Sequence, residues 1–146
     1  MKTLLTLLLI SYCFTGFAQN TVEELAKIKE TRDAFMLAIK EHRYQDLANL
    51  STADMENVGP GAEAWLKMYL LGQERGAFPY DRILMSPKET VIVSDSVAYD
   101  YGTSKVYYTD EEGEEELLTN TYLVILKKDK EGIWRLHREV ASAQVK

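Results

Sequence analysis

In the first half of the chain the apolar positions follow the period of a helix. Leu25, Ile28, Phe35 and Ile39 lie along one stripe, and the stretch TVEE before them sets Thr21 and Glu24 at the spacing of a capping box. The pattern predicts a first helix from Thr21 to about Lys40, with Arg32 inside its apolar stripe. A shorter helix over Tyr44 to Leu50 presents Leu47 and Leu50, and NVGPG then breaks the chain. Beyond Pro60, the positions Ala62, Trp65, Leu66, Tyr69 and Leu70 make a third amphipathic helix that ends near Gly76. From Asp81 onward the period changes to two. ETVIVSD, SVAYDYGTSKVYYTD, ELLTNTYLVILKKD and GIWRLHREVASAQV are rich in Val, Ile, Tyr and Thr and are bounded by Asp-Ser, Glu-Gly and Lys-Glu-Gly turns. Three helices followed by a four-stranded, largely antiparallel sheet is an α+β arrangement, with the helices packed on one face.

Alternation assigns faces to the strands. In the last one, Trp134, Leu136, Arg138, Val140 and Ser142 point one way, and Arg135, His137, Glu139 and Ala141 the other. The Trp/Leu/Val side is the apolar one, so Arg138 is expected inside, where an unpaired cation costs several kcal/mol and calls for a carboxylate or a bound anion. His137 is then expected outside with Arg135 and Glu139, as a surface residue with no nucleophile beside it. In the long middle strand the aromatic side, with Tyr99, Tyr101 and Tyr107, is assigned to the interior, and Asn120, Tyr122, Val124 and Leu126 of the next strand join it. Hydroxyls and a cation among apolar walls fit a small-molecule pocket; the same tyrosines also serve as core fillers whose hydroxyls reach the rim.

The first eighteen residues change the picture of the whole. MKTLLTLLLISYCFTGFA carries one lysine, an apolar run, and small Gly16 and Ala18 at the spacing read by signal peptidase, so residues 1–18 read as a signal peptide and residues 19–146 as one exported domain, periplasmic or extracellular. A lipoprotein anchored at Cys13 is the minor alternative, since bulky Tyr12 precedes it. Cleavage leaves about 128 residues, enough for a single core. It also removes the only cysteine, which excludes disulfides and cysteine-bound zinc from the mature domain. The formal net charge of −6 becomes −7 without Lys2, and the acidic run DEEGEEE would repel a phosphate backbone, so no nucleic-acid partner is expected. That run reads as a solvated hairpin tip, because it lacks the ligand spacing of an EF-hand; no metal or cofactor is expected, and no membrane contact after cleavage.

The order of helices and strands, with LAIKEHRYQDLANLSTAD, SDSVAYDYGTSKVYYT and TNTYLVILKKDKEGIWRLHREVAS in register, resembles the nuclear-transport-factor-2-like superfamily, and within it the SnoaL-like branch known as domain of unknown function 4440. The resemblance spans about Val22 to Val145, and its most specific stretch is KKDKEGIWRLHREVAS. It implies a cone in which three N-terminal helices pack on a curved, mostly antiparallel sheet around a cavity, and a homodimer through the outer sheet face. The superfamily includes ketosteroid isomerase, which uses a carboxylate base, a tyrosine and a protonated aspartic acid. The resemblance puts Phe35, about Gly59 and Val124 at those three places, and none of them can do the chemistry. The histidine-aspartate logic of polyketide cyclases is no better served, as neither His42 nor His137 is expected to face the cavity.

The expected function is therefore an exported small-molecule-binding domain. Arg138 would pair an anionic ligand, with Tyr99, Tyr101, Tyr122, Trp65 and Trp134 as walls, Asn120 among them, and Arg32 as a second cation or a snorkelling side chain. The alternatives are a cyclase-like or isomerase-like enzyme with Asp54, Glu56 or Asp100 as an unusual acid or base, and a structural dimerisation domain whose cavity is filled by its own side chains.

Overall fold

The computed structural model describes residues 21–143 in full, and the backbone of residues 2–20 as the start of the first helix. The expected signal peptide, residues 1–18, lies outside the residues described in full. Helix α1 (Lys2–Lys40) is followed by a single 3-10 turn (Tyr44–Asp46), the short α2 (Leu47–Leu50), strand β1 (Ser51–Val58) and α3 (Glu63–Glu74). Then come β2 (Arg82–Ser94), β3 (Val97–Thr109), β4 (Glu115–Lys128) and β5 (Trp134–Ala143). The sheet has the order β1-β5-β4-β3-β2; every pair is antiparallel except β1 with β5. The architecture is the expected α+β, with five strands rather than four. Strand β1 escapes the pattern because it is a mostly exposed edge strand, STADMENV, with too few apolar residues to alternate.

The stripe on α1 does what its spacing predicts. Ile28 packs with Trp134, Leu126, Val124 and Tyr122, Ile39 packs with Trp65, Met68, Ile83 and Val106, and Phe35 touches both groups. The helix ends on His42, at φ 56°, with Arg43 N–H donating to the Ala38 carbonyl at 2.8 Å, a Schellman-type close. Thr21 is not the N-cap, because α1 continues through it. Glu24 instead accepts from the Trp134 indole N–H at 2.7 Å and pairs with Lys128 at 2.5 Å, which ties the helix to the far end of the β4-β5 hairpin. These partners, Lys128 first, hold the Glu24 carboxyl down at about 2.

Strands β2 and β3 come unusually close at an irregularity in their pairing. Pairing slips between Pro87 and Glu89, and a Cβ on Gly102 would lie 2.2 Å from the Ser86 carbonyl oxygen, so only glycine admits that close crossing. No helix among the described residues is long and apolar enough to cross a membrane.

Candidate functional site

One extra residue in β5 decides what faces the helices. Leu136 pairs with Leu126 and Arg138 pairs with the adjacent Ile125, so His137 is a bulge that has no partner of its own on β4. A bulge shifts the pleat by one, and every later side chain changes sides. Trp134 and Leu136 are inside as expected; beyond the bulge Glu139 and Ala141 face inward, and Arg138, Val140 and Ser142 face outward. The assignment of Arg138 to the interior and Glu139 to the surface is thus reversed. His137 is also not a surface residue: it is buried, with Nδ1 3.0 Å from the Thr52 hydroxyl and 3.4 Å from an Asp54 carboxylate oxygen.

Strand β3 is reversed throughout. Ala98, Asp100, Gly102, Ser104, Val106 and Tyr108 form the buried side, while Tyr99 and Tyr101 stand on the outer face with their rings 6.3 Å apart. Alternation sets the aromatic side of β3 beside Asn120 and Tyr122, whereas the register sets Ser104 against Asn120 and Gly102 against Tyr122. Two outer rows run straight across the sheet. One reads Tyr101, Leu123, Val140, Val58, and the other Val91, Tyr99, Ile125, Arg138, Glu56. Arg138, Tyr99 and Tyr101 are therefore near one another, but on the face away from the helices. There Arg138 donates to the Asp54 and His137 carbonyls and lies 3.6 Å from the carboxylates of both Asp54 and Glu56.

On the inner face a recess forms between β4, β5, α3 and the loop after β1. Glu139, Asn120 and Ala141 supply its floor, Trp65, Tyr69, Tyr80, Ile83 and Val106 its walls, and Asn57 to Pro60 its rim, around a space of about 30 Å³. Each element contributes for a local reason. Trp65 and Tyr69 are one turn apart on α3, with rings 6.4 Å apart. Gly59 leaves room for the Tyr69 hydroxyl, which would lie 2.8 Å from a Cβ there. Asn120 is fixed by the Ser104 hydroxyl, which donates to its carbonyl oxygen.

Among the described residues the Glu139 carboxylate has no hydrogen-bond or ionic partner. The residue keeps some exposure at the rim, yet burial pushes its carboxyl above the ordinary range. The neighbouring phenols respond to it. Burial first, and then the charge of Glu139, raise the titration of Tyr69 and Tyr80. Beside the recess, Tyr122 is raised by burial and then by Asp100, and its buried hydroxyl has no hydrogen-bond partner. A recess with one carboxylate and two tyrosines in its lining is suited to hold a small polar group, and the carboxylate can accept or release a proton there.

The other candidates separate from this recess. Trp134 is a core residue held by Glu24. Arg32 neither snorkels nor stands free: it is buried, and donates to the Asp100 carboxylate, which also accepts from Thr90 at 3.1 Å. Asp54 and Glu56 are exposed on β1, and hydrogen bonding, led by Thr52, lowers the Asp54 carboxyl further. His42 is exposed and bonded to Tyr44. Phe35 and Val124 are packed in the core. The structure brings together Trp65 and Asn120 from the expected set and adds Glu139, Tyr69 and Tyr80. The signal for Glu139 was the cost of Arg138 itself: a strand whose strict alternation buries a lone arginine is relieved by a bulge. A larger open groove, about 630 Å³, runs along the exposed side of α3 past Leu66, Leu70 and Glu111, and no buried polar side chain is directed into it. Among the described residues no cluster of His, Cys, Asp or Glu is arranged to hold a metal.

No sequence-family model matches the chain, and no curated protein matches it in sequence. Solved structures do. A nuclear transport factor 2-like superfamily protein from Salmonella enterica superposes with a TM-score of 0.65 at 13% identity, over 86% of this chain and 94% of that one. A ketosteroid isomerase-like protein from Erwinia carotovora gives 0.64 at 22% identity, over 85% and 98%. The CamKII hub homology domain of Chlamydomonas reinhardtii gives 0.57 at 14% identity, over 82% and 98%. With its long helix laid across the inner face of a five-stranded sheet, the chain has the nuclear-transport-factor-2-like fold.

Proposed function

We propose that the chain is an exported small-molecule-binding domain of the SnoaL-like type, and that its site is the recess around Glu139. The observation that carries this reading is the Glu139 carboxylate, left without a protein partner among the described residues on the floor of the recess. Such a group costs stability unless something bonds to it, and a ligand would do so. Trp65, Asn120, Tyr69 and Tyr80 complete the site; Arg138, Tyr99 and Tyr101 belong to the outer face, where we place a homodimer contact. The apolar row Tyr101, Leu123, Val140 and Val58, and the fold shared with a hub homology domain, support that contact. The apolar leader at residues 1–18 supports export.

A second reading, an acid-base enzyme of the cyclase or isomerase type, is favoured by the raised titration of Glu139, which brings a carboxyl toward the range where it exchanges protons near neutral pH. Native mass spectrometry of protein taken from the exported fraction, followed by mild denaturation, tests binding, export and association together. The expected result is a chain starting near Gln19, in a dimer, that releases a stoichiometric small molecule. A monomer that retains residues 1–18 and carries nothing would overturn all three.

A further inference from the structure

The bulge at His137 reverses more than the direction of two side chains. Strict alternation would put a guanidinium in the recess and select an anion, but the fold presents Glu139 there and leaves Arg138 paired with Asp54 and Glu56 outside. The walls reinforce the change of sign. Trp65, Tyr69 and Tyr80 put aromatic side chains in the lining, the residue type whose rings attract cations, and Asn120 adds an uncharged polar group. No lysine or arginine lines the recess, and a chain of net charge −6 draws cations toward it.

Resting on the reading of the recess as a ligand site, we propose that it takes the protonated amine of a small ligand, with Glu139 as its counter-ion and Trp65, Tyr69 and Tyr80 as its aromatic walls. Size limits the group. The recess is small, about 30 Å³, and takes only the polar end of a ligand, such as an ammonium head with its first carbon. The remainder of the ligand must leave through the rim at Asn57 to Pro60. A primary or once-methylated amine on an aliphatic or ring-bearing body meets both conditions.

The test uses the whole exported chain, isotope-labelled for NMR and titrated near neutral pH with n-propylammonium, n-propanol and propionate at matched ionic strength. Trp65 lines the recess, and Trp134, locked by Glu24, serves as the internal control. Propylammonium should shift the Trp65 indole signal and leave Trp134 in place. Glu139→Gln should weaken that binding by about tenfold or more, as expected for loss of a charge-assisted hydrogen bond, while Glu139→Asp, which keeps the charge, should retain part of it. Propanol or propionate binding as tightly as the amine, or an unchanged affinity in Glu139→Gln, overturns the cation assignment and leaves the recess as a site. If none of the three moves Trp65, the recess itself is not a ligand site, and both readings fail.

Discussion

Two carboxylates share one cross-strand row on the inner face of the sheet. Thr90, Asp100, Val124, Glu139 and Asn57 follow one another across β2, β3, β4, β5 and β1, so Asp100 and Glu139 stand on either side of Val124. Asp100 is fully satisfied: Arg32 crosses from α1 to pair with it and Thr90 donates a second bond. Glu139 has neither. The sheet offers both the same apolar neighbour, and the difference comes from what lies above them. Over Asp100 lies α1, whose stripe carries an arginine at the right turn; over Glu139 lie α3 and the loop before β2, which bring Trp65, Tyr69 and Tyr80. A polar side chain that the fold has neutralised is structural, and one that the fold has surrounded but not answered is where a ligand can act.

The comparison is broken most severely by removing the partner of Asp100. Arg32→Met should cost about 3–5 kcal/mol, the range for leaving one member of a buried ion pair alone. Urea denaturation would measure it. The double variant Arg32→Met with Asp100→Leu should recover most of the loss, since it removes both charges and keeps the volume. A single variant as stable as the wild type would mean that Asp100 is no better answered than Glu139.

At the unanswered end the sign reverses. Glu139→Gln removes a charge that burial opposes while keeping the side chain's size, and should leave the chain at least as stable as the wild type at neutral pH. The pH dependence follows from the raised carboxyl. A folded-state pKa above the unfolded one means that the folded chain binds more protons, so stability falls as pH rises from the unfolded value through the folded one. The facing groups that titrate or carry charge are Tyr69 and Tyr80 beside the recess, Tyr122 on β4, and the Arg32-Asp100 pair beyond Val124; the phenols stay neutral throughout that window because they too are raised. Glu24 provides the opposite case. With its carboxyl held at about 2, its clasp on Lys128 and Trp134 is fully present above the unfolded value and is lost as pH falls toward 2. Thermal melts across acid pH should therefore lose the decline at higher pH in Glu139→Gln and the decline at lower pH in Glu24→Gln.

These predictions also show which parts of the molecule a sequence reveals. The α1 stripe was legible because Ile28, Phe35 and Ile39 answer one period over a long element, and the inner side of β4 because Asn120, Tyr122, Val124 and Leu126 are buried in unbroken alternation. The inner side of β3 was not. Its two sides are about equally apolar, and the choice turned on tyrosines that serve the outer rows as well as they would a core. The site was concealed by a single residue. The cost of burying Arg138 points to a bulge but not to its position, and the insertion of His137 exchanges Arg138 for Glu139 and so changes the charge of the recess. Strand β1 carries no such pattern, because an exposed edge strand has no apolar side to alternate.

The smallest expected effect falls on the residue that the alternation singles out. Arg138 sits on the outer face, about a third of its side chain exposed, beside carboxylates that are themselves mostly in solvent. Exposed pairs of this kind contribute about 0–1 kcal/mol. Arg138→Leu should therefore change stability by less than about 1 kcal/mol and leave ligand affinity in the recess unaltered, because the side chain and the recess lie on opposite faces of β5. Its effect should appear elsewhere. Between Ile125 and Glu56 in an outer row, a leucine would extend the apolar surface and tighten association between copies, which sedimentation at graded concentrations would register. A large loss of ligand binding in this variant would mean that the two faces communicate through the bulge, and the contrast between Arg138 outside and Glu139 inside would then have to be redrawn around His137, which touches Arg138 at 3.3 Å.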